Sequence, residues 1–211
     1  MLYLEEMNLK YVQKELKKRL EYPYTWGRKQ SDKWDEMTNF IYRTRTFEDL
    51  LKKTAHFSPE LRNYAMNRWY NFWSAMAVQE IFAEHPAVIP TRNPYDKSVD
   101  FYLNGIPFDH KTSVFPRGFK GSLAFARQNK DVLIRWLYAN QSAEGRRHFK
   151  NRLFVVLYDG RGKHWTLKAE LLLLRHYIEE YMAKFDTNRL SELYFGNEMI
   201  YSDIIWVVKS D

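Results

Sequence analysis

The segment SVDFYLNGIPFDHKTS, residues 98–113, carries a tight-turn signal at its centre. Asn104-Gly105 suits a two-residue type I′ turn, in which both central residues take positive φ. Such a turn pairs Leu103 with Ile106, Phe101 with Phe108 and Val99 with His110 on one face. On the other face it pairs Tyr102 with Pro107, Asp100 with Asp109 and Ser98 with Lys111. The first face is mostly apolar and the second polar, the alternation of a half-buried hairpin. The second face has a cost. Two carboxylates directly opposite each other destabilise a sheet unless a proton or a cation lies between them.

Outside the hairpin, the composition narrows the possibilities. The 211 residues, 45% hydrophobic, suffice for one large domain or a core with a smaller appendage. There is no cysteine, which excludes disulfides and thiolate zinc sites and fits a reducing compartment. The start, MLYLEEMNLKYV, places acids where a signal peptide needs an unbroken apolar run. The apolar runs LFVVLY and IIWVV are strand-sized, too short to span a membrane. A soluble, cytoplasmic protein with no membrane partner is expected. The net charge of +7 favours an anionic partner, nucleic acid first. The sequence has no HExxH, Walker-type loop, G-x-S-x-G or dinucleotide fingerprint, so those chemistries drop out.

Periodicity and caps order the chain. Leu9, Val12, Leu16 and Leu20 make a helical stripe, broken by Pro23 and Gly27. Ser31 and Thr46 are N-cap candidates for a second and a third helix. Ser58-Pro59 opens a long helix that His85-Pro86 stops near Glu84. The hairpin strands occupy about 97–103 and 106–114, followed by a helix over about 122–140 and a buried strand in RLFVVLYDG. An amphipathic helix runs through Leu167, Leu171, Leu174, Ile178, Tyr181 and Phe185, and DIIWVVK closes the chain as a strand. The expectation is an α/β (α+β) fold. A helical N-terminal region, 1–55, precedes a core, 56–211, whose mixed central sheet is flanked by helices.

The opposed acids have a chemical explanation. A hard cation such as Mg²⁺ takes oxygen ligands and is held by one or two carboxylates. Asp100 and Asp109 could supply them, and the metal would polarise a phosphodiester oxygen or activate water. Lys111 shares that face and could offset charge developing on a phosphate. Glu80 falls in the middle of an apolar helix stripe between Trp69, Trp73 and Met76, where a carboxylate is costly unless paired or metal-bound. Glu84, one turn on, is the second choice, and Asp96 shares Asp100's parity as a substitute for it. Arg117, Lys120, Arg127 and Lys130 follow the hairpin as candidate phosphate contacts. Arg146, Arg147, Lys150 and Arg152 form a second basic group, read as a solvated loop.

Asp100, eight intervening residues and Asp109-His110-Lys111 across a hairpin resemble the PD-(D/E)XK nuclease superfamily, with its restriction-endonuclease-like fold. The resemblance covers roughly residues 58–160 and extends to the helix–hairpin–helix–strand order. Val99 stands where a proline is common, and His110 where an apolar residue is usual. The resemblance implies a metal-dependent endonuclease, restriction- or repair-type, acting on DNA in preference to RNA. It implies Mg²⁺, with Mn²⁺ able to substitute, at Asp100, Asp109, Glu80 and the His110 backbone carbonyl, and it is compatible with a homodimer. The His110 side chain is expected as a hydrogen-bonded core histidine rather than a base. Two other classes remain open: a nucleic-acid-binding protein that does not cut, on this or another fold, and a surface hairpin with a local Asp–Lys salt bridge.

Overall fold

Helix starts follow the capping chemistry of the sequence. The computed structural model describes residues 7–25, 32–91, 99–140 and 150–210. Asn8 caps α1 (Leu9–Lys18) by accepting the Tyr11 N–H at 3.0 Å, and α2 (Asp32–Met37) follows. Thr46 caps α3 (Phe47–Lys53) by accepting the Asp49 N–H at 3.1 Å. Ser58 accepts the Leu61 N–H at 3.3 Å where α4 (Pro59–Ala83) begins on its proline. Each cap satisfies a first-turn donor that has no partner inside its helix.

One mixed six-stranded sheet holds the rest together. Its strands are β1 (Val88–Pro90), β2 (Phe101–Leu103) and β3 (Ile106–Val114). After α5 (Leu123–Gln128) and α6 (Lys130–Asn140) comes β4 (Arg152–Asp159). After α7 (Leu171–Ala183) come β5 (Ser191–Phe195) and β6 (Glu198–Lys209). The order is β1-β2-β3-β4-β6-β5. The first three strands are antiparallel, β3, β4 and β6 run parallel, and β5 returns antiparallel. Parallel neighbours need crossovers, which the helices supply.

The hairpin turn takes the geometry its residues favour, with φ of 50° at Asn104 and 78° at Gly105. The register is Leu103 with Ile106, Tyr102 with Pro107 and Phe101 with Phe108, as the two-residue turn requires. Other expectations are revised. The helix expected over 122–140 breaks at Asn129, which has φ −127° and ψ 56° and donates its side-chain amide to the Phe125 carbonyl at 3.0 Å. A 3₁₀ segment, His164–Ala169, precedes α7, so the regular helix begins later than Leu167. Strands β1 and β5 are additions to the sequence reading. Among the described residues no helix is long and apolar enough to cross a membrane.

The chain divides into two compact units inside α4. One is the chain up to Val78 with Lys168–Leu172, and the other is Gln79–Leu167 with Leu173–Asp211. The first unit buries Leu16, Ile41, Leu50, Trp69 and Tyr70. Arg19 is also fully buried there. Its guanidinium donates to the carbonyls of Tyr22 and Pro23 at 2.8 and 3.0 Å, and to the amide oxygens of Asn67 and Asn63 at 2.6 and 3.3 Å. In the second unit the sheet has two buried faces. Phe154, Val156 and Ile204 pack with Leu133, Ile134, Leu137 and Tyr138 of α6. On the opposite face Phe82, from the last turns of α4, stacks on Phe101, and Phe108 meets Phe185.

Candidate active site

Sheet parity decides what Asp109 and Lys111 face. In the parallel β3–β4 ladder Asp109 pairs with Arg152 and Lys111 with Phe154. Ladder partners share a face, and Phe154 belongs to the α6 side. Asp109 and Lys111 therefore stand on the α6 face. There the Arg152 Nε donates to the Asp109 carboxylate. The Arg152 guanidinium carbon lies 5.4 Å from the Tyr138 ring centroid and 5.6 Å from that of Phe154. The Lys150 ammonium lies 4.0 Å from the other Asp109 oxygen. Tyr138 donates to the Lys150 carbonyl at 2.7 Å, and burial pushes its phenol up to about 12.

Lys111 completes this group. Desolvation, followed by the charges of Arg152 and Lys150, lowers its ammonium below the ordinary lysine value, while Asp109 pulls the other way. Lys111 is exposed at the surface, so solvent screens the effect and only its direction carries weight. Among the described residues its ammonium has no hydrogen-bond or ion-pair partner. Three cations thus gather around the carboxylate of Asp109.

Asp100 goes elsewhere. Its N–H donates to the Phe108 carbonyl at 2.9 Å, although Phe101 is the register partner of Phe108. Two residues on one strand then oppose one on the other, which is a β-bulge. The expected face-to-face pair of carboxylates is replaced by this arrangement. The bulge removes a like-charge opposition that a regular ladder would have to bear. Asp100 Oδ2 instead accepts the His110 N–H at 2.8 Å and lies 2.8 Å from His110 Nδ1, which therefore carries a proton. His110 is the hydrogen-bonded core residue expected, its ring 5.6 Å from Phe82 and 6.4 Å from Phe101.

This bonding has a pH signature. Burial pushes the Asp100 carboxyl up, but the hydrogen bonds and charge of His110 outweigh it and hold it below the usual range. A depressed folded value means stability that is complete above the ordinary carboxylate value of about 4. That stability is lost as pH falls through the lower folded value. Urea denaturation of wild type and Asp100→Asn between pH 5 and pH 2 checks this. Wild type is expected to lose more stability than the variant across that window, and parallel losses would show that Asp100 is not coupled to folding.

The remaining candidates are dispersed. Glu80 is partly buried on α4, whose Phe82 packs on the face opposite Asp109. Glu84 forms an ion pair with Arg175 of α7. Asp96, Arg146 and Arg147 lie outside the described residues. Among the described residues, no three histidine or carboxylate side chains gather at metal-binding spacing. Arg117, Lys120 and Arg127 are exposed. Lys130 differs, donating to Asp203 at 2.8 Å, and Tyr181 donates to the same carboxylate at 3.0 Å. Arg152, read from sequence as part of a solvated loop, is the first residue of β4 and is largely buried. Its signal was a basic side chain immediately before an unbroken apolar strand.

No family model matches the chain, and no curated protein or solved structure does either. The donor set itself can be tested against Mg²⁺, which takes hard oxygens and accepts as few as one protein carboxylate. Asp109 and the His110 backbone carbonyl are such oxygens on one strand. The Asp109 carboxylate is held by Arg152, with Lys150 4.0 Å from its other oxygen, so an ion there would have to displace Arg152. Asp100, Asp109 and Glu80, the three carboxylates expected to share a metal, are not gathered into one group among the described residues.

Proposed function

We infer that the chain is a nucleic-acid phosphodiester hydrolase, metal-dependent and of restriction or repair type, with its centre at Asp109 and Lys111. The carrying observation is the Lys111 ammonium, without a hydrogen-bond or ion-pair partner among the described residues, set beside Arg152 and Lys150 against one carboxylate. A structural ion pair needs one cation for Asp109. Further like charges on the same face cost energy, and an incoming phosphate would relieve that cost. The helix–hairpin–helix–strand order and the Asp109-His110-Lys111 motif support the same reading through their resemblance to PD-(D/E)XK nucleases.

Each side chain then has a task. Arg152, over the rings of Tyr138 and Phe154, offers its guanidinium to a phosphate, and Lys150 adds charge beside it. Lys111 stands where charge develops on the phosphate oxygens during hydrolysis. Mg²⁺ held by Asp109 and the His110 carbonyl would supply Lewis-acid chemistry. A second reading, binding without cutting, is favoured by the charge of Asp109 already being met by Arg152.

Supercoiled plasmid incubated with Mg²⁺, Mn²⁺ or EDTA separates the two. Nicking or linearisation that EDTA stops supports the hydrolase. A salt-sensitive gel shift without cleavage supports the binder, since phosphate contacts weaken steeply with salt. Neither cleavage nor a shift would leave the cluster as a structural ion-pair network.

A further inference from the structure

The sheet face that carries Asp109 and Lys111 continues into an aromatic surface that hydrolysis does not use. From β3 that parity runs Asp109, Lys111, Ser113 and, one residue past the strand, Phe115, whose ring joins the α6 core. From Asp109 to Phe115 is about 20 Å of extended chain. There the loop between β3 and α5 lays Phe119 beside two more rings. Its centroid lies 6.4 Å from that of Phe125 and 6.3 Å from that of Trp136. These rings and Val132 line an open groove of about 650 Å³. Phe125 is 45% exposed and Val132 48%.

The loop backbone lies close against these rings. A Cβ at Gly121 would stand 2.6 Å from both Phe119 and Phe125, and one at Gly118 would stand 3.0 Å from Trp136. Arg117, Lys120 and Arg127 are exposed on the loop and on α5 beside it. Between Phe115 and Asn140 the chain carries five basic residues and one acid, Asp131. Asp131 accepts a hydrogen bond from the Ser191 hydroxyl.

Phe119 and Trp136 are half-buried and Phe125 is exposed, and an apolar surface of this kind gains when something covers it. The basic setting selects an occupant that is flat, apolar on its faces and anionic along its length. Nucleobases on a phosphate backbone have that chemistry, and stacking on aromatic side chains tolerates any sequence. In a duplex the base faces are already stacked on each other. We propose that this groove stacks unpaired bases, so that the nucleic acid reaching Asp109 and Lys111 is single-stranded or locally unpaired. The inference rests on the proposed function and specifies its substrate.

Fluorescence anisotropy in EDTA and low salt tests it without cleavage. The probes are labelled oligothymidylate, oligouridylate, and an abasic strand of equal length that keeps the phosphates and lacks the bases. Wild type is expected to bind the base-bearing strands about ten-fold more tightly than the abasic one. Phe125→Ala should remove most of that preference and leave abasic affinity unchanged, and Phe125→Trp should keep it. Phe125 is nearly half exposed, so its truncation leaves the core filled. Tighter binding of either oligothymidylate or oligouridylate supports the groove and assigns it to DNA or RNA. Equal affinity for base-bearing and abasic strands, or a preference that survives Phe125→Ala, overturns the inference while plasmid cleavage stands or falls separately. Competition by polyglutamate as strong as by oligothymidylate overturns it as well, leaving a general anion surface. Failure to bind any of the strands overturns this inference, and the plasmid assay alone decides the proposed function.

Discussion

Lys111→Ala is expected to reduce Mg²⁺-dependent cleavage by at least about 100-fold, the scale of losing one positioned charge at a reacting phosphate. The same substitution should leave the melting temperature unchanged or slightly raised. In wild type the Lys111 ammonium is disfavoured by desolvation and by Arg152 and Lys150, and no hydrogen bond is lost with it. Removing it relieves like-charge repulsion at an exposed position. A residue whose removal spares or raises stability while lowering activity is one kept for chemistry. Asp109→Asn should also abolish cleavage but behave differently in stability. Asparagine keeps an oxygen acceptor for Arg152, so the loss is about 1 kcal/mol, the difference between a charged and a neutral hydrogen bond. Thermal melts and plasmid cleavage on the same preparations give both readouts. Undiminished cutting by Lys111→Ala would remove the lysine from the mechanism, and a large drop in its melting temperature would mark it as structural.

The second large effect is on folding, at Arg19. Arg19→Leu is expected to destabilise the protein by about 3 kcal/mol. Two effects compete. Removing a buried guanidinium relieves its desolvation, and replacing buried ions by apolar residues is sometimes stabilising. Against this, four oxygens lose their donor: the carbonyls of Tyr22 and Pro23, and the amides of Asn63 and Asn67. A fully buried orphan costs about 1–3 kcal/mol; the Asn67 oxygen is buried and the other three are partly buried, and together they outweigh the relief. Arg19→Lys should fall between, because a single ammonium cannot span the fork that the guanidinium fills. Urea denaturation of the three proteins decides it. A leucine variant as stable as wild type would mean that solvent or side-chain rearrangement satisfies those oxygens.

The hairpin was legible in sequence because its turn needs two adjacent residues at positive φ, and Asn104-Gly105 is among the few pairs that accept this. Once the turn was set, alternation placed Asp109 and Lys111 on one face. The bulge at Asp100 was not legible, since no local residue pattern marks it and its cause is a relation between two strands. Arg152 was missed for a related reason. Its place beside Asp109 depends on a parallel register between strands far apart in the chain. Strand β1 hid behind its length and Pro90, which a sequence pattern scores against a strand. Strand β5 was more accessible. Ser191–Phe195 alternates buried and exposed positions, and Gly196, at φ 63°, begins the turn into β6. The break at Asn129 lacks the proline or glycine that usually announces one.

The parallel pairing of β3 with β4 also dictates when the site comes into being. Asp109 and Arg152 are 43 residues apart in the chain. Their contact waits on closing a long crossover, and non-local closure of this kind is a slow step in folding. The hairpin around Asn104-Gly105, by contrast, joins neighbours and can form within microseconds. On a route where the hairpin forms first, Asp109 and Lys111 stand on it before Arg152 is beside them. The like charges that characterise the finished site meet only when the β3–β4 ladder closes, so the electrostatic cost of the centre falls on a late stage of assembly. A polyanion present at that moment would lower the cost by screening the gathered cations.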